Sequence, residues 1–465
     1  MKRSLYTLVL IFFSVATFGQ AKYVFLFIGD GMGVNQVNGT EMYCAELQKH
    51  IGTVPLLFTQ FPFATNATTF SATNSVTDSA ASGTALATGE KTYNGAISVD
   101  QEKKAIETIA EKAKKDGHKV GIATTVSIDH ATPAVFYAHQ PQRNMYYEIA
   151  NDLPKSNFDF FGGSGFLKPH TTCKGKEAPS IFPMLKEKGY TLAYGYDDYK
   201  TKAGKANKMI LMQKKGSEAD CLPYAIDRKD DDLTLAQITE SAIDFLTKDK
   251  DKGFFVMLEG GKIDWACHGN DAATTFKEII DMDNAIKVAY EFYKKHPKNT
   301  LILITADHET GGMALGTGKY ELNLQALQYQ KHSIETLSKE ITQLRESKGS
   351  STTWEEMKTF LSEEMGFWNK LPISWDQEKA IRDAFEKSFK NNNVDFEKNL
   401  YAQEEPVAAC ARKVMNEIAM ISWASDSHSA GLVPVFAIGA GAEKFAKKTD
   451  NAQIDKTITK IARYK

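Results

Sequence analysis

A serine at residue 79 stands where a nucleophile would be expected. It follows Asp78 and opens a run of small residues that extends to Ala85. Such a run is compatible with a helix, so Ser79 is predicted to lie in a first helical turn, whose free backbone N–H groups favour negative charge. A hydroxyl there is a candidate nucleophile toward an anionic substrate. A serine at a helix start is also a common N-cap, so the interpretation depends on the other reactive residues.

Side chains that bind metal ions gather in five short clusters. Each cluster adjoins a predicted strand end or a glycine-rich turn. The five clusters are Ile28–Gly33, His130–Pro133, Glu259–His268, Thr305–Gly312 and Ser427–Gly431. One such cluster alone is more often a helix cap or a surface group, but five together favour a site for two metal ions. Mixed histidine and carboxylate ligands favour zinc, and all-oxygen ligand sets favour magnesium.

The spacing within these clusters suits shared metal ions. Asp264 and His268 are four residues apart, so one helical turn would place both on the same face. Asp307 and His308 are adjacent after a predicted strand and can reach one ion. Asp30 lies among glycines that let the backbone turn tightly around a cation ligand. These glycines resemble a dinucleotide-binding fingerprint, but the G-x-G-x-x-G spacing of that fingerprint fails here.

The elements that must position these residues alternate between strands and helices. Short apolar runs predict strands buried on both faces, as in a parallel sheet. The predicted strands are Tyr23–Ile28, Val120–Thr125, Phe254–Leu258, Leu301–Thr305 and Val433–Ile438, and helical patterns between them include Lys104–Lys115 and Asp271–Lys294. This alternation predicts an α/β fold with a doubly wound, mostly parallel sheet flanked by helices. Ligands of such sheets bind beyond the carboxyl ends of the strands, where Asp30, Glu259 and Asp307 follow.

Two stretches depart from this alternation. Apolar residues recur at helical spacing in 317–424, as in the run Ile334, Leu337, Ile341 and Leu344, which predicts a mainly helical insertion. The stretch 160–235 is rich in glycine and aspartate and is predicted to be a second, irregular insertion rich in loops.

The N-terminus and the charge of the chain bear on its location and partners. Residues 1–20 combine a positive start with an apolar run from Leu5 to Phe18 and small residues, which predicts a cleaved signal peptide and a periplasmic or secreted protein. The apolar run is shorter than the about 20 residues of a membrane span, so no stable membrane anchor is expected. The net charge is −2 and no basic block occurs, which argues against nucleic acid as a specific partner.

Taken together, these motifs closely resemble those of the alkaline phosphatase family. The matching stretches appear in the family's order and span nearly all of residues 21–465 except the helical insertion. They are IGDGMG (28–33), VTDSAASGTALATGEKTYNGAISVD (76–100), HATPAVFYAH (130–139) with Arg143, EGGKIDWACH (259–268), TADHETGG (305–312) and HSAGLVPVFAIG (428–439). The resemblance implies one catalytic domain over residues 21–465.

The resemblance also assigns roles to the clustered residues. Asp264, His268 and His428 would hold a first zinc ion. Asp30, Asp307 and His308 would hold a second zinc ion. Asp30, Thr132 and Glu259 would hold a third ion, which in the family is usually magnesium.

The implied activity is the hydrolysis of phosphate monoesters through a phosphoserine at Ser79. Arg143 would grip the phosphate, because its planar guanidinium matches two non-bridging oxygens. Phosphoryl transfer needs positioning and charge neutralisation more than acid–base groups, which suits this residue set. Small-molecule phosphate monoesters are the expected substrates, and family members are often homodimers.

The chain departs from the best-known enterobacterial member at the third site. That member has Asp and Lys where this chain has His130 and Trp265, a pair that other bacterial members carry. The difference leaves the identity of the third ion open. His130 could bind this ion directly or orient its water, and we favour the second role.

Three other functions fit the sequence less well. A phosphodiesterase on the same metal core is disfavoured by Arg143, because a diester lacks the second free charge that this side chain would neutralise. An inactive metal-dependent binding protein is disfavoured because Ser79, Arg143 and the metal-binding residues are all intact. A dinucleotide-binding oxidoreductase is disfavoured by Asp30 and by the glycine spacing.

Overall fold

A computed structural model describes residues 20–248, 253–318, 320–391 and 394–465. The predicted signal peptide, apart from residue 20, lies outside the described residues.

The strands of the described residues are, in chain order, β1 Tyr23–Gly29, β2 Phe63–Thr68, β3 Lys119–Thr124, β4 Phe160–Gly163, β5 Tyr190–Tyr194, β6 Lys208–Met212, β7 Phe254–Gly260, β8 Thr300–Thr305, β9 Glu309–Thr310, β10 Met313–Leu315, β11 Glu397–Lys398, β12 Gln403–Glu404, β13 Ile421–Trp423, β14 His428–Ser429, β15 Val433–Gly439 and β16 Thr449–Asp450.

The α-helices are α1 Val34–Leu47, α2 Ser79–Thr88, α3 Ile109–Lys115, α4 Ala131–Ala134, α5 Tyr146–Ser156, α6 Ile181–Glu187, α7 Tyr196–Lys202, α8 Leu235–Leu246, α9 Lys262–His268, α10 Ala272–Lys295, α11 Ile334–Lys348, α12 Trp354–Met365, α13 Trp375–Phe385, α14 Pro406–Ala419 and α15 Ala452–Ala462. Short 3₁₀ segments lie at Phe58–Gln60, Ala203–Lys205, Leu324–Tyr329, Gly349–Ser351 and Ala442–Phe445, and a π-helical turn lies at Glu386–Lys390.

Ten of these strands form one sheet in the order β16-β2-β15-β8-β1-β7-β3-β4-β6-β5. The run from β8 to β5 is parallel throughout, and β15 pairs antiparallel with both β8 and β2. The central strands β1, β7 and β8 are almost entirely buried, as the apolar runs in the sequence predict for strands covered by helices on both faces. The predicted α/β fold with a mostly parallel sheet is confirmed.

The helical bounds are close to those predicted, with one informative exception. The helix predicted from residue 104 begins at Ile109, because Thr108 caps it. The Thr108 side chain accepts from the backbone N–H of Glu111, and the Glu111 carboxylate accepts from the backbone N–H of Thr108. Such a capping box fixes a helix start more sharply than apolar spacing does.

The segment 317–424 contains helices α11 to α14 and packs around a separate hydrophobic cluster. Leu337, Ile341, Met357, Leu361 and Ile381 are among its fully buried members. Tyr43 and Phe276, from α1 and α10, join the same cluster, so this segment rests against helices of the main layer.

The segment 160–235 differs from the irregular insertion that the sequence predicts. It supplies β4, β5 and β6, which extend the main sheet by three parallel strands at one edge. The sequence signal for β4 is weak because this strand ends in Gly162 and Gly163, and consecutive glycines are typical of loops. Glycine is required at 162, where a Cβ would meet the Ile238 side chain at 2.6 Å.

Among the described residues, no helix combines the length and the apolar character needed to cross a membrane.

Candidate active site

Four neighbouring strands bring the reactive residues to one edge of the sheet. In the order β8-β1-β7-β3, Ile28 pairs with Glu259 and with Thr305, and Thr124 also pairs with Glu259. The carboxyl ends of these strands are therefore level, and the residues that follow them converge on one place.

A tight turn after β1 lets two carboxylates approach each other. Gly31 has a φ of 70°, a left-handed conformation that residues with a Cβ seldom adopt. A Cβ at this position would lie 2.8 Å from Asp264 Oδ1. Both the conformation and the space therefore require glycine between Asp30 and the neighbouring Asp264.

The residues predicted to hold the first zinc ion lie together. Asp264 and His268 are one turn apart on α9, as predicted, and His268 Nε2 is 3.2 Å from Asp264 Oδ2. His428, from β14, places its Nε2 3.2 Å from His268 Nε2 and 3.8 Å from Asp264 Oδ1.

The residues predicted to hold the second zinc ion lie beside the first group. His308 Nε2 is 3.2 Å from Asp30 Oδ1 and 3.4 Å from Asp307 Oδ2. The rings of His308 and His428 are stacked with their centroids 3.6 Å apart, so the two groups form one continuous cluster.

The third predicted group contains one more candidate ligand than the resemblance implies. A ring nitrogen of His130 and carboxylate oxygens of Asp30 and Glu259 all lie within 4.8 Å of one another. Thr132 is in α4, two residues after His130, and its hydroxyl is buried without a hydrogen-bond partner in the described part of the chain. The structure therefore places His130 close enough to bind an ion directly, whereas the sequence favours a role in orienting the water of that ion.

Three of the site histidines are held in place by a hydrogen bond at the ring nitrogen that faces away from the cluster. The Nδ1 atoms of His268, His308 and His428 contact, respectively, the carbonyl of Asp426, the hydroxyl of Thr310 and the carbonyl of Thr77. Each Nε2 is left to face the cluster. Metal-binding histidines are commonly oriented in this way by a partner on the other ring nitrogen.

The residue set is suited to binding metal ions because several of its buried carboxylate oxygens lack hydrogen-bond partners among the described residues. Asp30, Glu259, Asp264 and Asp307 all have fully buried side chains. Both carboxylate oxygens of Asp30, and one each of the other three, have no hydrogen-bond partner within the described ranges. Buried carboxylates without donors are costly unless a cation neutralises them.

The pKa values of these carboxyl groups reflect the same crowding of negative charge. Burial, together with the neighbouring carboxylates, raises the pKa of Asp30 well above its usual value. Burial raises the pKa of Asp307 to about 7 and that of Glu259 to about 8. Asp264 is the exception, because His268 and the other nearby histidines outweigh the effect of burial and lower its pKa.

Ser79 lies at the first position of α2 and points at this cluster. Its side chain is fully buried, and Ser79 Oγ is 3.1 Å from His308 Nε2. Asp78 caps the helix by accepting from the Ala81 N–H. The helix N-terminus favours negative charge at the point where the serine oxygen lies.

Arg143 is held by Asp78, the residue that precedes the serine in the chain. Arg143 Nη1 donates to Asp78 Oδ2 at 3.1 Å, and Arg143 Nη2 lies 3.4 Å from His130 Nε2. Burial, and then the charge of Arg143, lowers the pKa of His130 to about 3. His130 is therefore neutral at physiological pH and able to act as a ligand.

Every residue predicted for the site lies at this edge of the sheet, but several neighbours were missed. Asp78, Thr124 and Thr310 hold Arg143, Glu259 and Asp264 respectively through side-chain contacts. All three lie within or beside stretches that the sequence singled out, so proximity to the motifs was an available signal. Tyr401, which stacks on Trp265, lies in the helical segment, where no motif marks it.

The geometry defines a class of protein. A buried serine at a helix N-terminus, a fixed guanidinium and overlapping histidine–carboxylate groups suit nucleophilic attack on an anionic ester with the help of metal ions. The fold and site together are those of an α/β metal-dependent hydrolase.

Comparison with known proteins narrows this class. The alkaline phosphatase family model matches residues 21–161 and 181–464. Alkaline phosphatase 3 of Bacillus subtilis is 32% identical over 455 residues, which cover 96% of this chain and 90% of that protein. The chain therefore belongs to the alkaline phosphatase family, whose members hydrolyse phosphate monoesters with bound metal ions through a phosphorylated serine.

Two solved structures show the same architecture over nearly the whole chain. The cold-active alkaline phosphatase of the psychrophile Shewanella sp. is 26% identical, with a TM-score of 0.79 over 95% of this chain and 99% of that chain. A histidine-to-glutamate variant of the alkaline phosphatase from the Antarctic bacterium TAB5 has Mg bound in its M3 site. It is 27% identical, with a TM-score of 0.66 over 96% of this chain and 99% of that chain.

Proposed function

We propose that Ser79 is the nucleophile of this phosphomonoesterase and carries the phosphoryl group between two in-line displacements. The observation that carries this assignment is the 3.1 Å contact of Ser79 Oγ with His308 Nε2, at the edge of the histidine–carboxylate cluster. The Ser79 oxygen attacks phosphorus and the alcohol leaves. Water then attacks phosphorus of the phosphoserine, the bond between phosphorus and the Ser79 oxygen breaks, and inorganic phosphate and the serine hydroxyl are released.

We assign two zinc ions to the mixed histidine–carboxylate groups. Asp264, His268 and His428 would hold one ion, and Asp30, Asp307 and His308 would hold the other. Imidazole and carboxylate ligands together favour zinc over magnesium. When bound, the ions supply Lewis-acid stabilisation of the attacking and leaving oxygens and favour deprotonation of the hydroxyl and of water.

We assign magnesium to the third group, formed by Asp30, Thr132 and Glu259, with a ring nitrogen of His130 contributing to this site. The oxygen donors suit magnesium, and the TAB5 variant with Mg in its M3 site supports such an ion in this family. Trp265 lies beside the site, with its ring centroid 6.0 Å from that of His130.

Arg143 is proposed to bind two non-bridging oxygens of the phosphoryl group. Its salt bridge to Asp78, which precedes Ser79 in the chain, and its contact with His130 fix the guanidinium. A dianionic monoester offers the charge that this side chain neutralises, whereas a diester carries one negative charge less. The substrates are therefore small-molecule phosphate monoesters.

Export and self-association are part of the proposal. A signal peptide at residues 1–20 would direct the chain to the periplasm or the medium, where residues 21–465 would act as the catalytic domain. We expect a homodimer, as the resemblance implies, and no nucleic acid partner, because the net charge is −2.

The test is phosphate release from an aryl phosphate monoester and from the matching diester at alkaline pH. The protein is first depleted of metal with a chelator and then reloaded with zinc and magnesium. The proposal predicts strong monoester turnover that chelation abolishes and the two metals restore. Turnover that is indifferent to chelation would contradict the metal assignment, and preference for the diester would contradict the role of Arg143.

A further inference from the structure

A hairpin in the helical segment reaches the histidine–carboxylate cluster. Strands β11 and β12 pair antiparallel, with Lys398 opposite Gln403. At the tip, Asn399 Oδ1 accepts from the backbone N–H groups of Tyr401 at 2.9 Å and of Ala402 at 2.7 Å. An asparagine that bonds the backbone two and three residues ahead holds a turn in one conformation.

The hairpin is anchored at its base to α14. Arg412, which is 9% exposed, donates to Glu404 at 2.9 and 3.0 Å and reaches Glu397 at 3.4 Å. Farther along α14, Asn416 donates to the carbonyl of Asn270, just beyond α9. The hairpin is therefore fixed relative to the helix that carries two of the proposed zinc ligands.

Tyr401 lies flat against the site. Its ring stacks on Trp265 with centroids 4.3 Å apart and an interplanar angle of 11°. It also meets the ring of His268 edge to face at 5.2 Å. Offset stacks and edge contacts of this kind hold an aromatic ring in one orientation.

The hydroxyl of Tyr401 has no hydrogen-bond partner in the described part of the chain, although the oxygen is buried. A buried hydroxyl usually has a partner, so an unpaired one calls for an explanation. The ring centroid of Tyr401 lies 6.1 Å from that of His130, whose Nε2 is 3.4 Å from Arg143 Nη2. The Tyr401 ring therefore lies beside the groups that surround the proposed phosphate position.

The hairpin tip also lines a cavity at the cluster. This cavity has a volume of about 380 Å³, and its lining includes Lys398, Asn399 and Leu400 of the hairpin together with His268 and His428. The residues that precede Tyr401 in the hairpin therefore share a cavity with two of the proposed zinc ligands.

We propose that Tyr401 is a substrate-binding residue whose hydroxyl donates a hydrogen bond to a phosphoryl oxygen of the bound ester and of product phosphate. The inference rests on the proposed function, because it takes the phosphate to lie between Ser79 and Arg143. Because the ring is already held by its stack on Trp265, the Tyr401 side chain does not have to become ordered when phosphate binds. The helical segment would then contribute directly to recognition of the phosphoryl group.

The test compares inorganic phosphate binding to the metal-loaded, full-length protein and to two variants by titration calorimetry. Tyr401→Phe removes the hydroxyl and keeps the stack on Trp265. Tyr196→Phe is the matched control, because its hydroxyl bonds Glu240 on another helix pair. We expect Tyr401→Phe to bind phosphate about ten- to a hundredfold more weakly, the loss typical of a hydrogen bond to a charged group, and Tyr196→Phe to bind as the parent does.

Metal content and melting temperature are measured on the same samples. Phosphate affinity of Tyr401→Phe within twofold of the parent would overturn the proposal. Loss of metal together with phosphate affinity would also overturn it, because the hydroxyl would then serve the metal cluster. If the parent protein binds phosphate but does not hydrolyse monoesters, the proposed function fails while the calorimetric result for Tyr401 still decides this inference.

Discussion

At the scale of single residues, the site is built on one serine, whose surroundings favour negative charge on the serine oxygen. The Ser79 oxygen lies 3.1 Å from His308 Nε2 and begins a helix capped by Asp78. An ordinary serine hydroxyl is a weak nucleophile at neutral pH and needs activation by a base or a metal ion. In this site the buried cluster beside the serine provides the place for that activation.

Ser79→Ala should abolish turnover while the protein keeps its metal ions. The substitution removes one oxygen and touches neither Asp78 nor the histidines. We expect monoester hydrolysis to fall by at least about a thousandfold, since the residue acts in both displacements. The check is steady-state kinetics with metal content measured on the same sample. Ser75→Ala, at an exposed position four residues earlier, is the control, and comparable rates in the two variants would remove Ser79 from the mechanism.

Arg143→Ala should weaken monoester hydrolysis about ten- to a hundredfold and affect diester hydrolysis much less. The physical reason is that the guanidinium neutralises a second charge that the diester lacks. Arg143→Lys should not restore the rate, because an ammonium group cannot make the paired contacts. Equal losses on the two substrates, measured as kcat/KM, would show that Arg143 does not discriminate by phosphoryl charge.

At the scale of elements, strand ends and short helices place these residues, and most of this placement was predictable. The apolar runs fixed the central strands, and the spacing of Asp264 and His268 predicted that both lie on one helical turn of α9. Strand β4 was missed because it is only four residues long and ends in two glycines. Strands β5 and β6 lie in the same stretch, which the sequence predicts to be rich in loops. Tyr401 was missed because a contact between segments 136 residues apart leaves no periodic signal in the sequence.

Asp78 caps helix α2 and also binds Arg143. Substitutions at this residue should separate these two roles. One oxygen accepts from the N–H groups of Ala81 and Gly95, and the other holds Arg143. Asp78→Asn keeps a capping acceptor but loses the charge, so inhibition by phosphate should weaken severalfold with little change in melting temperature. Asp78→Ala should in addition lose about 1 kcal/mol of stability, the usual cost of a missing N-cap. The measurements are the phosphate inhibition constant and thermal unfolding, and identical melting temperatures for the two variants would contradict the capping role.

At the scale of the whole molecule, the two largest of three hydrophobic clusters in the described residues support a highly charged site. The larger cluster surrounds the ten-stranded sheet, and the second lies within the helical segment 317–424 and includes Tyr43 and Phe276 of the main layer. The packing of the sheet core keeps the strand ends level, and the packed helical segment holds the hairpin with Tyr401 over Trp265. The free energy gained by burial elsewhere offsets the cost of four buried carboxylates.

One buried carboxylate away from the site should make stability depend on pH. Asp455, on α15, is almost fully buried, and its Oδ1 lies 3.6 Å from Lys112 Nζ. Burial raises its pKa to about 6, although Lys112 lowers it in part. The folded state therefore holds this proton more tightly than the unfolded state, so the stabilising contribution is full below the unfolded value of about 3.9 and is lost as pH rises through about 6.

Asp455→Asn should then stabilise the protein at alkaline pH and leave it nearly unchanged in acid. We expect a gain of about 1–2 kcal/mol in unfolding free energy near about pH 8, which vanishes near about pH 4. Chemical denaturation of both proteins across this range is the measurement, with the exposed Asp230→Asn as the control. A gain that is independent of pH would show that the ionised carboxylate is not its source.

The most direct test of the account is to trap the covalent intermediate. The metal-loaded protein is mixed with an aryl phosphate, quenched in acid and digested, and the peptide that contains Ser79 is analysed by mass spectrometry. The account predicts that this peptide gains the mass of one phosphoryl group, that fragmentation places it on Ser79, and that it is absent from Ser79→Ala. A protein that turns over the substrate with Ser79 unmodified, or with the phosphoryl group on another residue, would contradict the central claim.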